Sequence, residues 1–144
     1  MADLLLNDEE TLLKNTVSDY SKNELAARAA GYDESALFPW DNVSGIADLG
    51  LFGLTIPEEY GGSGGTTRQL AIAAEEIAKG CAATSVIYIA HLSLCTQFIN
   101  MFGSEEQKKQ YLPNLASGKK IGAFALSEPG AGSDAAAIKT SAIR

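Results

Sequence analysis

Basic residues are scarce in this sequence, and so are cysteine, histidine and proline. Eleven Lys and Arg stand against eighteen Asp and Glu, for a net charge of −7. A nucleic-acid binder normally carries a basic face, so that class of partner is excluded as an expectation. No basic leader opens the chain either. MADLLLNDEE has acidic residues where a secretory or mitochondrial signal needs Lys or Arg, which predicts a cytoplasmic protein, or a mature form in a mitochondrial matrix. The two cysteines, Cys81 and Cys95, lie in an apolar stretch and are read as buried thiols in a reducing compartment. His91 is the single histidine, and no second ligand stands at metal-site spacing from it. It is read as a hydrogen-bonded interior residue and not as a ligand or base, and no metal is expected.

Charge is absent altogether from Gly80 to Ser104. That run is long enough to cross a bilayer. It also holds Thr84, Ser85, His91, Ser93, Thr96, Gln97 and Asn100, polar groups that hydrocarbon cannot satisfy and a bundle interior can. The expectation is a central helix of a soluble bundle, with no membrane span.

What is present reads mainly as helix. Asn7 or Asp8 caps a first helix, in which Leu12, Leu13, Val17, Tyr20 and Leu25 recur at helical spacing and which fades near Gly31. A short helix follows Pro39, with Trp40, Val43, Ile46, Ala47 and Leu49 facing inward and Gly50 as its stop. Residues 51–65, LFGLTIPEEYGGSGG, are too rich in turn formers for regular structure and read as a connector. No Gly-Lys-Ser/Thr closes that run, so it is not a P-loop. Thr66 or Thr67 caps a helix carrying Leu70, Ala73, Ala74, Ile77 and Ala78. The uncharged helix of about 82–102 comes next. Ser104-Glu105-Glu106-Gln107 forms a capping box for a basic helix in which Pro113 makes a bend or begins a new turn and which Gly118 ends.

The pattern then changes. Ile121 to Leu126 is the first convincing strand. The division is a helical domain over 1–118 and the beginning of a β-domain over 119–144. A strand needs partners, and few residues remain to supply them, so the natural protein is expected to continue past Arg144. Left without its sheet, 119–144 is expected to be mobile or to pair with another chain.

The segment with most chemistry is Ala123-Phe-Ala-Leu-Ser-Glu-Pro-Gly-Ala-Gly-Ser-Asp134. Gly130 and Gly132 let the backbone approach a planar or phosphorylated ligand, and Ser127 and Ser133 supply hydroxyl donors. Gly130-x-Gly132-x-x-Ala135 also matches a dinucleotide fingerprint. Its context is wrong, because helices precede the strand, Glu128-Pro129 intervenes and no second strand follows. A turn that holds no ligand is the bland alternative.

The run from about residue 49 to 142 resembles the acyl-CoA dehydrogenase family in order and spacing. LGLFGLTIPEEYGGSGG is similar to that family's connector, AAEEIAKGCAATSV to its next helix and turn, and FGSEEQKKQYLPNLASGKKIGAFALSEPGAGSD to the helix pair that leads into its first signature. The wording is nearest to short-chain and branched-chain members. The resemblance implies a mainly α chain, an N-terminal helical bundle followed by the first strand of a middle β-domain. It implies FAD as cofactor, an acyl-CoA thioester as substrate in fatty-acid β-oxidation, electron-transfer flavoprotein as acceptor and a homotetramer at full length. Backbone groups of Phe124 and Leu126, the Ser127 hydroxyl, Gly132 and Ser133 would hold the flavin. Ser133 would also touch the CoA portion, while Val86, Ile87, Ala90 and Leu94 would line the acyl pocket. Ordinary core packing is the alternative for those four.

Glu128 invites the label of base, but in the family it belongs to the signature turn. The base is expected beyond residue 144, so residues 1–144 alone are expected to be inactive. Two other readings stay open: an oxygen-using relative such as an acyl-CoA oxidase or flavin monooxygenase, and a non-catalytic helical interaction module.

Overall fold

The computed structural model describes residues 6–143; Met1–Leu5, which carry half of the leader reading, and Arg144 lie outside the described residues. Helix α1 (Asp8–Tyr20) starts at Asn7, whose side chain accepts the Glu10 N–H at 2.8 Å while the Glu10 carboxylate accepts the Asn7 N–H at 3.0 Å. Two of the orphan donors at the helix start are satisfied reciprocally. Glu10 is itself buried and meets Arg68 at 3.1 Å, so the cap also ties α1 to the start of the helix that begins at Thr67. The helix does not fade near Gly31. It widens into a π turn at Ser21–Leu25 and continues as α2 (Ala26–Ser35), stopping at Ala36 in the left-handed region.

Helix α3 (Trp40–Asp48) buries Asn42, Val43 and Ile46. The inward reading is corrected for Trp40 and Leu49, which are exposed, as it is for Leu12 in α1. Periodicity places residues on a stripe, but a nine-residue helix covers only the part of its stripe that a neighbour reaches. Ala78, also read as inward, is exposed on α4 (Thr67–Gly80), whereas Glu76 is buried and held by Lys79 at 2.6 Å.

Between α3 and α4 the connector folds into two short 3-10 turns, Leu51–Gly53 and Glu58–Tyr60. Its Ser63-Gly64-Gly65 end hydrogen-bonds back onto it: Ser63 N–H to Gly53 O at 2.9 Å, Gly64 N–H to Ile56 O at 2.9 Å and Gly65 N–H to Leu54 O at 2.7 Å. Those donors are consumed within the loop and are not free to cradle a phosphate. Gly62 is needed for close approach, since a Cβ there would lie 2.0 Å from Ile56 O. The connector thereby drives Phe52, Leu54, Ile56 and Tyr60 into the core.

The uncharged stretch is one continuous rod, Ala82–Phe102. It runs as α5 (Ala82–Ile89), a π segment (Ala90–Thr96) and α6 (Gln97–Phe102). By length and composition it could cross a membrane. Thr84, Ser85, His91 and Thr96 are instead buried in protein, whereas Ser93 and Gln97, expected in the interior, are exposed and Asn100 is half-buried. Thr84 accepts from Asn42 Nδ2 at 3.0 Å, the Ser85 hydroxyl donates to Ala74 O at 2.8 Å, and the Thr96 hydroxyl donates to Leu92 O at 2.9 Å. α7 (Glu105–Ala116) begins at the Ser104–Gln107 capping box and keeps Pro113 inside it. Helices α1, α4 and α5 pack side by side, with α3 and α7 closing on Phe52 and the connector.

The fold is mainly helical, as the resemblance implies. The strand is not formed: among the described residues 121–127 have no ladder, and only an isolated bridge joins Glu128 to Ala131. A strand is a pairing, and nothing in these residues lies alongside to pair with it.

Candidate functional site

Two elements meet where the sequence placed its chemistry. One is the rod Ala82–Phe102, and the other is the irregular segment from Lys119 onward. The segment is moored by a short series of contacts. The Lys120 N–H donates to Asn114 O at 3.0 Å, and the Gly122 N–H donates to His91 Nδ1 at 3.0 Å. Gly122 also lies so near the rod that a Cβ on it would sit 2.4 Å from Cys95 Sγ. Two residues on, the Phe124 ring tilts against Phe98 with centroids 5.6 Å apart, and Phe98 in turn meets Phe102 at 5.0 Å. His91, Cys95 and Phe98 stand at helical spacing on one side of the rod, so one face receives Gly122 through Phe124.

His91 is fully buried, as an interior histidine should be. Because Nδ1 accepts, the proton of the neutral ring resides on Nε2. Nε2 makes no full hydrogen bond within the protein, although the Leu115 and Phe52 carbonyls pull weakly on the ring. Burial dominates and lowers the His91 pKa to about 4. At neutral pH it is therefore an uncharged acceptor aimed at one backbone amide. Burial likewise pushes the Cys95 thiol up, so it is not poised as a nucleophile. Both cysteines are free; Cys81 is buried and Cys95 half-buried.

Beyond Phe124 the segment is open. The backbone of Phe124 to Ser127 makes no backbone hydrogen bond among the described residues, and the Ser127 and Ser133 hydroxyls are exposed. A Cβ built on Gly130 or Gly132 would meet nothing within 4 Å. These are free donors and acceptors beside empty space, a donor set suited to a flat ligand whose edge carries alternating hydrogen-bonding groups. No hydrogen bond joins Ser127, Gly132 or Ser133 to the rod, so the structure moors Phe124 there and leaves those three facing outward.

Of the four residues read as an acyl-pocket wall, Val86 is 65% exposed and Leu94 44%, while Ile87 and Ala90 are half-buried. Ile87 packs on the core. The other three leave an apolar stripe on solvent, continued by Phe98, Met101 and Phe102. Exposed apolar surface of that extent marks a face built to be covered.

The sequence reading missed three contributors. His91, Cys95 and Phe98 receive the segment, and their spacing along the rod was the available signal. Glu128 was set aside as a turn residue, yet its carboxylate accepts from the Lys139 N–H at 3.0 Å, the Thr140 N–H at 2.8 Å and the Thr140 hydroxyl. These donors hold its carboxyl below the usual range, the Thr140 hydroxyl most of all. A base for a weakly acidic C–H needs the opposite shift.

Residues 7–119 match the family model described as acyl-CoA dehydrogenase, N-terminal domain. The short-chain specific acyl-CoA dehydrogenase of Clostridium acetobutylicum is 44% identical over 141 residues, which are 98% of this chain and 37% of that protein. Among solved structures, butyryl-CoA dehydrogenase from Megasphaera elsdenii superposes with a TM-score of 0.86 at 33% identity, covering 94% of this chain and 36% of the other. An acyl-CoA dehydrogenase complexed with FAD from Bacillus anthracis superposes at 0.84 with 35% identity, covering 94% and 23%. The chain thus spans about a third of the length of the relatives it matches.

Proposed function

The chain belongs to the acyl-CoA dehydrogenase family through its N-terminal domain, and from that premise we propose that the protein serves the α,β-desaturation of a short or branched acyl-CoA thioester, with FAD as cofactor. The observation that carries the reading is the unpaired stretch Phe124–Ser127, moored by His91 and Phe98 next to an uncovered apolar helix face. Two of the matched proteins are named for short acyl-CoA substrates and a third for bound FAD.

In this reading residues 1–118 form the helical domain and 119–144 open a β-domain. Backbone groups of Phe124 and Leu126 hold the edge of the cofactor ring. The Ser127 hydroxyl would be a donor toward the cofactor, and a donor fixed in advance is worth more to a ring that takes up negative charge than one that must reorganise. Gly132 keeps the backbone close to the cofactor, and Ser133 reaches both it and the CoA portion of the substrate. Val86, Ile87, Ala90 and Leu94 form one wall of the acyl site and exclude water from it. When bound, FAD supplies the hydride acceptor. Glu128 is occupied by Lys139 and Thr140 and is not the base; by the family resemblance the base that takes the α-proton would lie outside these residues. Electron-transfer flavoprotein takes the electrons, the assembly is a tetramer, and the setting is a cytoplasm or a mitochondrial matrix.

The test is anaerobic addition of butyryl-CoA to the purified full-length flavoprotein. Bleaching of its flavin absorbance, with slow return in air, is the expected outcome. Rapid peroxide formation would assign it to the oxygen-using relatives, and a protein that retains no flavin would end the reading. Residues 1–144 alone are expected to show no acyl-CoA-dependent dye reduction.

A further inference from the structure

Three donors converge on one side chain in the irregular segment that follows the helices. Glu128 Oε1 receives the Thr140 N–H and hydroxyl, and Oε2 receives the Lys139 N–H. The backbone of the same residue is paired as well: its N–H donates to Ala131 O at 2.9 Å, and the Ala131 N–H returns to Glu128 O at 3.0 Å. Ala131 is buried under this turn, whereas Ser127, Gly132 and Ser133 around it are exposed. Glu128 therefore fixes the tight turn Pro129–Gly130 through its backbone and draws residues 139–140 back onto that turn through its side chain.

We propose that Glu128 is a positioning residue, whose carboxylate closes residues 128–140 into one loop and so sets how Ser127, Gly132 and Ser133 are presented to the cofactor. The inference rests on the flavin reading given above. It assigns Glu128 no proton transfer, only geometry.

The chemistry demands a carboxylate. All three groups that reach it are donors, and an ionised carboxylate is acceptor-only with two oxygens to share among them. A glutamine of the same shape would set its own N–H pair against one of the donors. An aspartate is one methylene shorter and would not span the turn. Gly130 and Gly132 have open space around them, so apart from Ala131 beneath the turn the loop has little packing to define it, and the side-chain clamp ties residues 139–140 to it. The depressed carboxyl pKa agrees, since three hydrogen bonds to the charged form favour it.

The test uses this chain with and without E128Q, together with T140S and T140V, and reads backbone amide exchange by NMR. The clamp requires exchange at Lys139 and Thr140 to accelerate about tenfold or more in E128Q. Amide shifts of Ser127, Gly132 and Ser133 should move with it while those of α1 to α7 stay in place. T140S keeps the hydroxyl and should behave as the parent; T140V loses one donor and should fall between. Equal exchange in parent and E128Q, or unmoved Ser133 shifts, would overturn the proposal. FAD titration of the full-length protein, read by flavin fluorescence, separates the two claims. Weaker FAD retention in E128Q supports both, and an exchange difference in a protein that binds no FAD would sink the flavin reading while the loop closure stood.

Discussion

The helical body over residues 8–118 and the segment that follows it obey different rules. In the body, buried polar groups are largely answered from nearby in space: Asn42 by Thr84, Ser85 by Ala74 O, Ser21 by Glu76 O. Its apolar side chains interlock around Phe52, Ile56, Ile77 and Tyr88. The segment has few contacts and depends on single side chains, His91 of the rod for its start and its own Glu128 for its loop. The difference shows that ordered position does not require a core. A backbone can be held by a few directional bonds and kept free for a ligand in between, whereas a helix bundle spends its polar groups on itself.

The largest effect that would break the comparison is in the body. Phe52 is fully buried, tilts against His91 at 4.7 Å and lies beside Tyr88 and Gly118. Phe52→Ala is expected to destabilise the chain by about 4 kcal/mol, through lost transfer energy and the cavity left behind. Denaturant unfolding checks this; a loss below about 1 kcal/mol would show that the body tolerates a void the packing says it cannot.

Next in size is acidification, which acts at the junction of the two regions. The folded pKa of His91 is depressed to about 4 from 6.5. The unfolded chain takes up that proton near pH 6.5, and the folded chain refuses it until about pH 4. The contribution is therefore fully present above pH 6.5 and is lost as pH falls through that window, a change on the order of 3 kcal/mol. Protonated, Nδ1 can no longer accept from Gly122. His91→Gln should flatten this part of the stability–pH curve, and an unchanged slope would mean that the ring is not shielded as described.

The smallest effect sharpens the contrast most. Gly122→Ala places a methyl 2.4 Å from Cys95 Sγ and 2.7 Å from its Cβ. It is expected to lift the segment off the rod, releasing Phe124 from Phe98, while the body loses less than about 1 kcal/mol. Aromatic NMR shifts report the first and thermal melting the second. A large drop in stability would make the segment part of the core after all.

Much of the body was legible because its signals are local. The pairs Thr66–Gln69 and Ser104–Gln107 are three residues apart, and each closes a box that depends on nothing else. The connector announced itself through Gly61, Gly62, Gly64 and Gly65. Leu12, Trp40, Leu49 and Ala78 were misplaced because an apolar stripe says which residues share a face, not how far a neighbour extends along it. The candidate site was legible as a motif, but its contact with the apolar rod through Phe124 and Phe98 was not. Its moorings were not, since Gly122 is 31 residues from His91 and Glu128 is 12 from Thr140.

By itself, then, the sequence determined the helix starts at Asn7, Thr66 and Ser104, the irregular connector and the chemical types arrayed from Phe124 to Ser133, all set by interactions spanning a few residues. Only the tertiary structure decided that Ile121–Leu126 stands unpaired, that His91 presents a neutral acceptor to Gly122 and that Glu128 closes a loop. Each of these depends on what lies across space, and hydrogen bonds between distant residues leave no periodic trace along the chain.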